Sequence, residues 1–349
     1  SIGTINFLNI EFPPKKISSN QYRFKKIKSE FQLSQAEKDK WLLQLEKLSI
    51  LDSKGLSLKN KKMALYGNFQ NKNKKFSIFI DKISIKNAKK ILAKTDFITK
   101  NIKNLIKKIK PEGELRELKF LRSVSNPSWK LSGNFKNLSI EGSNNIPSIS
   151  NLSGNISSKN NIYKILINSN DLNFQFDNLF RKKIQIKKLS GLITAILHKN
   201  NWDVSSKELV IDTNDIKSIS SFKIIKKPKE KAFLKLMSKF SDGKIKSTHK
   251  YLPVSLMKEK LISWLDNSLI EGKINEGFLL INGPLHHFPF KKLNNGSFEV
   301  NVKVEDAALN YRKDWPILTN VDANIFFAQN SMEIDLIEGK IKDNKIHSL

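Results

Sequence analysis

From Gly296 to Asp306 the chain reads GSFEVNVKVED, in which Phe298, Val300, Val302 and Val304 alternate with Glu299, Asn301, Lys303 and Glu305. Successive side chains of a strand point to opposite faces, so a period of two predicts a strand with one dry side. SMEIDLIEG repeats the period with Met332, Ile334 and Leu336. It recurs less cleanly in NKKFSIFIDKISI, where Phe76, Ile78 and Ile80 precede Ile83 and Ile85, and in IYKILINSNDLNFQF, KKIQIKKLSGLITAIL and KELVID. Turn signals rich in Gly, Asn and Ser (YGN, LSGNFKN, LSGNISSKNN, NNGS) stand between such segments. Many short antiparallel strands in a meander are the expectation.

Two stretches switch to steps of three and four residues, the spacing of one helix face. Ile91, Ile98, Ile102, Leu105 and Ile109 predict a helix over 88–109, with Asn87 as its N-cap and Pro111 and Gly113 closing it. Met257, Leu261, Trp264, Leu265 and Leu269 predict a second over 254–270, with Pro253 in the first turn and Gly272 as the stop. Both are amphipathic and basic. Covering a side or end of a sheet accounts for such helices more simply than lying on a membrane.

Composition adds a charge of +29 from 62 Lys and Arg against 33 Asp and Glu. Such a balance invites a nucleic-acid reading. Arginine, whose fork grips phosphates and base edges, occurs only at Arg23, Arg116, Arg122, Arg181 and Arg312. Lysine, spread along the chain with Asn and Ile, supplies the rest, so solvated sheet faces are expected and no specific nucleic acid. The absence of cysteine excludes disulfides, thiolate zinc sites and cysteine nucleophiles. No apolar run reaches the ~18 residues that read as a membrane span. The start SIGTINFLNIEF lacks the order of a signal peptide, and the chain is expected to be an internal fragment with anchoring or targeting segments outside it.

Catalysis has no visible home. The histidines are His198, His249, His286, His287 and His347. Read as strand neighbours, His286 and His287 point to opposite faces and cannot share a metal. No nucleophile elbow, HExxH, Walker loop or GxGxxG occurs, so no catalytic residue, metal or cofactor is expected. Tyr311 and Trp315 are expected to fasten the crossing between two strands, with Pro316 marking a strand start or an edge.

The succession YLPVSLMKEKLISWLDNSLIEGKINEGFLLINGPLHHFPF, then NNGSFEVNVKVEDAALNYRKDWPILTNVDANIFF, then MEIDL resembles the AsmA-like superfamily, specifically its YhdP branch. The matching positions are Tyr251, Leu252, Pro253, Trp264, Leu265, Gly272, Gly283, Phe288, Pro289, Phe290, Gly296, Phe298, Tyr311, Trp315 and Pro316, while His287 stands where the branch has Asp. IKPEGELRELKF, NLSGNIS and NLFRKKIQIKKLSGLITAILHKNNWDV look like upstream pieces of the branch. The resemblance implies the periplasmic portion of an inner-membrane-anchored envelope protein of a Gram-negative bacterium. It further implies a bridge-like carrier in which a long curved sheet holds acyl chains while phospholipid passes toward the outer membrane.

Together these readings predict a mostly β protein: an elongated, curved antiparallel sheet forming an open hydrophobic groove, with a few amphipathic helices. Three stretches of one β array are expected: 1–110 ending in the first helix, a meander over 111–250, and a helix-plus-meander module over 251–349. The candidates for facing acyl chains are Phe298, Val300, Val302, Val304, Ile325, Phe327, Met332, Ile334 and Leu336. Two alternatives stay open, a scaffolding β protein with a closed core and a basic binder of anionic polymers.

Overall fold

The computed structural model describes residues 2–12, 22–52, 57–69, 74–93, 100–123, 128–143, 146–198, 200–290, 295–328 and 331–347. Strands dominate, and the mostly β, antiparallel expectation holds. Two units divide the chain, Ser1–Ser143 with Ser150–Ile165 and Asn144–Ile149 with Leu166–Leu349.

The first unit contains β1 (Ile2–Phe12), β2 (Tyr22–Glu37), β3 (Lys40–Asp52), β4 (Ser57–Asn68), β5 (Lys75–Ser84), β6 (Glu112–Ser123) and β7 (Ser128–Ile140), each antiparallel to the next. It also holds most of β8 (Ser148–Lys159) and the start of β9 (Ile162–Gln175). The second contains the rest of β9 and then β10 (Ile184–Leu197), β11 (Trp202–Thr213), β12 (Lys217–Lys226), β13 (Phe233–Lys244), β14 (Leu269–Pro284), β15 (Ser297–Leu309), β16 (Leu318–Ala328), β17 (Ser331–Ile341) and β18 (Asn344–His347). From β10 onward each strand again pairs antiparallel with its successor.

Bulges interrupt this ladder. Asp306 adopts φ 48° where the β15–β16 register shifts between Val304 and Ala307, and Glu117 adopts φ 49° where β6 shifts between Arg116 and Lys119. One extra residue returns the chain to the same face after three steps instead of two. Val304 and Ala307 therefore both point into a cluster with Ile245, Val321 and Ala323, all almost fully buried.

The helices differ in detail from expectation. The first is seen as α1 (Ile85–Ala93) and α2 (Lys100–Ile109), and Ile98 lies outside the described residues. The Asn87 backbone N–H donates to Ser84 Oγ at 3.2 Å, so Ser84 occupies the capping position assigned to Asn87. A hydroxyl three residues before an unpaired helical N–H has the reach; Asn87 is already inside the turn. The second helix is shorter. A 3₁₀ turn at Val254–Leu256 follows Pro253, α3 spans Glu259–Ser268, and Leu269 is already extended. Gly272 lies inside β14 at φ +126°, beside another register shift, and does not end the helix.

A polar cluster holds the chain between β13 and α3 to the β11–β12 turn. Asp215 accepts from Ser247 Oγ at 2.9 Å, Lys250 Nζ at 2.6 Å and the Tyr251 hydroxyl at 3.3 Å, and the Tyr251 hydroxyl also lies 3.0 Å from Thr213 Oγ1. Burial alone would raise the carboxyl's pKa, but the hydrogen bonds and charge of Lys250, with Ser247 and Tyr251, outweigh it and hold it below the usual value. These bonds seat the 3₁₀ turn Ile245–Lys250, whose Ile245 enters the core.

Two stability predictions follow from this geometry. A Cβ at Gly272 would stand 2.6 Å from Ala307 Cα on a left-handed backbone, so Gly272→Ala should cost more than about 1 kcal/mol in urea unfolding. Asp215→Asn should cost about 1–3 kcal/mol at pH 7. A depressed carboxyl pKa stabilises above the unfolded value near ~3.9 and ceases to do so as pH falls through the folded value. The gap between wild type and Asp215→Asn should therefore narrow when the urea titration is repeated near pH 3.

Candidate functional site

Residues directly opposite in an antiparallel pair share a face, so the register decides which side chains form one surface. In the second unit Val300 stands between Leu279 and Phe327, and Phe327 opposite Met332. One step along, Val302 stands between Gly277 and Ile325, and Ile325 opposite Ile334. Val304 pairs with Ile274 and Ala323, Ala323 with Leu336, and Phe298 with Ile281. The candidates on β15, β16 and β17 thus share one face.

The same face continues across strands that the sequence pattern left indistinct. Ile281 is opposite Leu236, Leu236 opposite Phe222, Phe222 opposite Ser206, and Ser206 opposite Ile193. A parallel row runs Leu234, Ile224, Val204 and Ala195. With strands about 4.8 Å apart, the seven steps from β10 to β17 extend about 34 Å across the sheet. Glycine and serine interrupt the neighbouring rows of this face at Gly277, Ser220 and Ser238, which breaks the apolar alternation there. The Phe240 ring lies over Gly277, where a Cβ would meet it at 2.3 Å, and Ser220 and Ser238 hydrogen-bond to each other at 2.8 Å. No polar side chain of that pair is left without a partner.

Burial along this face is uneven. Val304 is buried in the cluster around Ile245, whereas Phe298, Val300, Val302, Ile325, Phe327 and Leu336 are half-buried and Met332 and Ile334 are exposed. Among the described residues only fourteen apolar side chains are buried, and most of this lining keeps part of its surface open to solvent.

Both ends of the strands carry the motif residues. At one end Trp264 Nε1 donates to the Tyr311 carbonyl at 3.0 Å, the Tyr311 and Trp315 rings meet at 5.7 Å, and Arg312 sits 5.0 Å from the Trp315 ring centre. Pro316 precedes β16 by two residues. Arg181 donates from Nη1 and Nη2 to the two carboxylate oxygens of Asp266 of α3 at 2.6 and 2.8 Å. At the other end Phe290 is fully buried against Gly283 and Gly296, and the Phe288 ring lies 5.1 Å from Phe298, with the Phe288–Pro289 bond cis. His286 and His287 occupy a 3₁₀ turn, Leu285–His287, and their rings lie 4.0 Å apart. The strand geometry expected to separate them does not apply, because a tight turn can keep adjacent side chains together. Among the described residues no group of three or more potential metal ligands occurs.

The opposite face is mixed, with charged residues among the exposed Ile219, Met237 and Phe278. Glu299, Asn301 and Lys303 lie there, and cross-strand ion pairs such as Lys223–Asp203 at 3.0 Å and Lys239–Glu276 at 3.3 Å lace it. Exposed pairs of this kind contribute little stability and keep the surface wet.

The first unit repeats the design. Leu43, Leu65, Ile78, Phe120 and Leu131 are successive cross-strand partners from β3 to β7, and Leu45, Met63, Ile80 and Leu118 form a row beside them.

A search of curated proteins finds a relative in Escherichia coli (strain K12), "Intermembrane phospholipid transporter YhdP", 22% identical over 157 residues. That match takes in 45% of this chain and 12% of the relative, so the chain spans a small part of that protein's length. No solved structure matches. No described helix is long and apolar enough to cross a membrane. The family described as YhdP protein matches residues 3–349, nearly the whole chain, and the chain therefore belongs to the YhdP family.

Proposed function

We propose that the apolar face of each unit holds phospholipid acyl chains, and that this chain is a periplasmic, non-enzymatic segment of an envelope protein conducting phospholipid between inner and outer membranes. The observation that carries the reading is the half-buried row across β10–β17, an apolar lining along the middle of the strands with Glu299, Lys303, Lys223 and Lys239 on the other face. Membership of the YhdP family, and the name of the Escherichia coli relative, supply the class of cargo.

The physics suits a conduit. Each methylene moved from water onto the row contributes about 0.8 kcal/mol when fully buried, without any need for a polar contact. Movement across the strands exchanges one aliphatic or aromatic neighbour for a similar one, so binding free energy changes little from step to step. A lipid can then advance without escaping a deep well. A closed sandwich would instead bury these side chains against a second sheet to native packing density. Val300, Val302 and Ile325, which keep part of their surface open to solvent, favour the open form.

Neighbouring positions on β15 separate the two faces experimentally. Val300→Asp should reduce the phospholipid recovered with detergent-free protein by severalfold, measured by mass spectrometry of extracted lipid. Asn301→Asp, one residue on and facing the polar side, should leave it unchanged. Wild-type protein free of lipid after gentle extraction, or equal loss in both variants, would refute the reading. Unfolding of Val300→Asp with an empty wild type would favour the closed core.

A further inference from the structure

At one end of the strands in the first unit, the apolar face finishes in a row unlike those beside it. Trp41 of β3 stands opposite Gly67, Gly67 opposite Phe76, Phe76 opposite Arg122, and Arg122 opposite Trp129. The Phe69 ring fills the place over Gly67, where a Cβ would meet it at 2.6 Å, and the Phe69 backbone N–H is held by the Asp39 carbonyl at 2.9 Å. Aromatic contacts continue from Phe76 to Phe120 at 5.9 Å, from Phe120 to Trp129 at 6.4 Å, and from Trp129 to Tyr163 at 5.9 Å. The result is an aromatic rim along the apolar face with a single guanidinium in it.

Arg122 is out of place by every local rule. It follows Leu118 and Phe120 at the next position of the apolar phase of β6, where hydrocarbon is expected. Arg116 pairs with Glu114, Arg181 with Asp266, and Arg312 lies over Trp315. Arg122 is exposed and has no hydrogen bond or ion pair among the described residues. The flanking segments outside those residues, 70–73 and 124–127, contain no Asp or Glu to neutralise it. An unpaired guanidinium presents a planar fork suited to two phosphate oxygens, and indole and phenol rings prefer the boundary between hydrocarbon and water.

We infer that Arg122, framed by Trp41, Phe76 and Trp129, is a headgroup station: it binds the phosphodiester of a phospholipid whose tails lie on the neighbouring row Leu43, Leu65, Ile78, Phe120 and Leu131. This rests on the acyl-chain reading above and adds a polar selectivity to it. Rows made only of hydrocarbon hold any lipid tail alike; a fixed cation at the rim favours lipids that carry phosphate and sets which way round they lie.

The test compares three probes on the full chain: phosphatidylglycerol, diacylglycerol with the same tails, and glycerol 3-phosphate without tails. Wild-type protein should bind phosphatidylglycerol about tenfold better than diacylglycerol, and glycerol 3-phosphate not measurably. Arg122→Gln should abolish that preference while leaving diacylglycerol binding intact, and Arg122→Lys should restore part of it. Arg116→Gln, on the polar face, should behave as wild type. Unchanged phosphatidylglycerol preference in Arg122→Gln would overturn the headgroup station and leave the acyl-chain reading standing. Binding of glycerol 3-phosphate as tight as phosphatidylglycerol would also overturn it, by removing the tails from the interaction. Failure of wild type to bind either lipid would remove both readings.

Discussion

In-register pairing of antiparallel strands is the constraint on which everything else in this protein rests. Each backbone ladder satisfies its own polar groups and at the same time sets Val300 beside Leu279 and Phe327, or Leu236 beside Ile281 and Phe222. A slip of one residue would send every member of such a row to the charged side. The rows are therefore a property of the pairing, and no single residue creates them. Bulges at Glu117 and Asp306 adjust the phase so that the hydrophobic side is kept on both sides of the irregularity.

Stability and accessibility are assigned to different places along the strands of the second unit. Phe290 packed on Gly283 and Gly296 closes one end, and the Ile245 cluster, secured by the bonds to Asp215, closes the other. Between them the lining stays half-exposed. Tightly packed interiors do not admit guests without local unfolding, whereas a surface supported at its ends can stay folded while its middle exchanges contacts. That division lets a sheet with few fully buried side chains remain ordered and still present hydrocarbon.

Charge follows the same partition. Lysines opposite Asp and Glu on the charged face keep it hydrated. Arg122 is a cation on the apolar side of the first unit. Its significance depends on position, since an arginine with the same chemistry at Arg116 is absorbed by Glu114.

By itself the sequence determined the strand-rich architecture, the faces of β15 and β17, and the family. A period of two is a local geometric fact, and Phe298, Val300 and Val302 write it without interruption. Where Gly277, Ser220 and Ser238 replace apolar residues the period fades, yet the face persists because Phe240 covers the glycine and the serines satisfy each other. The tertiary structure alone decided the matters set by partners distant in sequence or by local turns. Among them are the cap at Ser84, the early end of α3, the adjacency of His286 and His287, and the alignment of Trp41, Phe76, Arg122 and Trp129 from four separate strands. Alternation tells a residue which side of its own strand it occupies; only the ladder tells it what stands beside it.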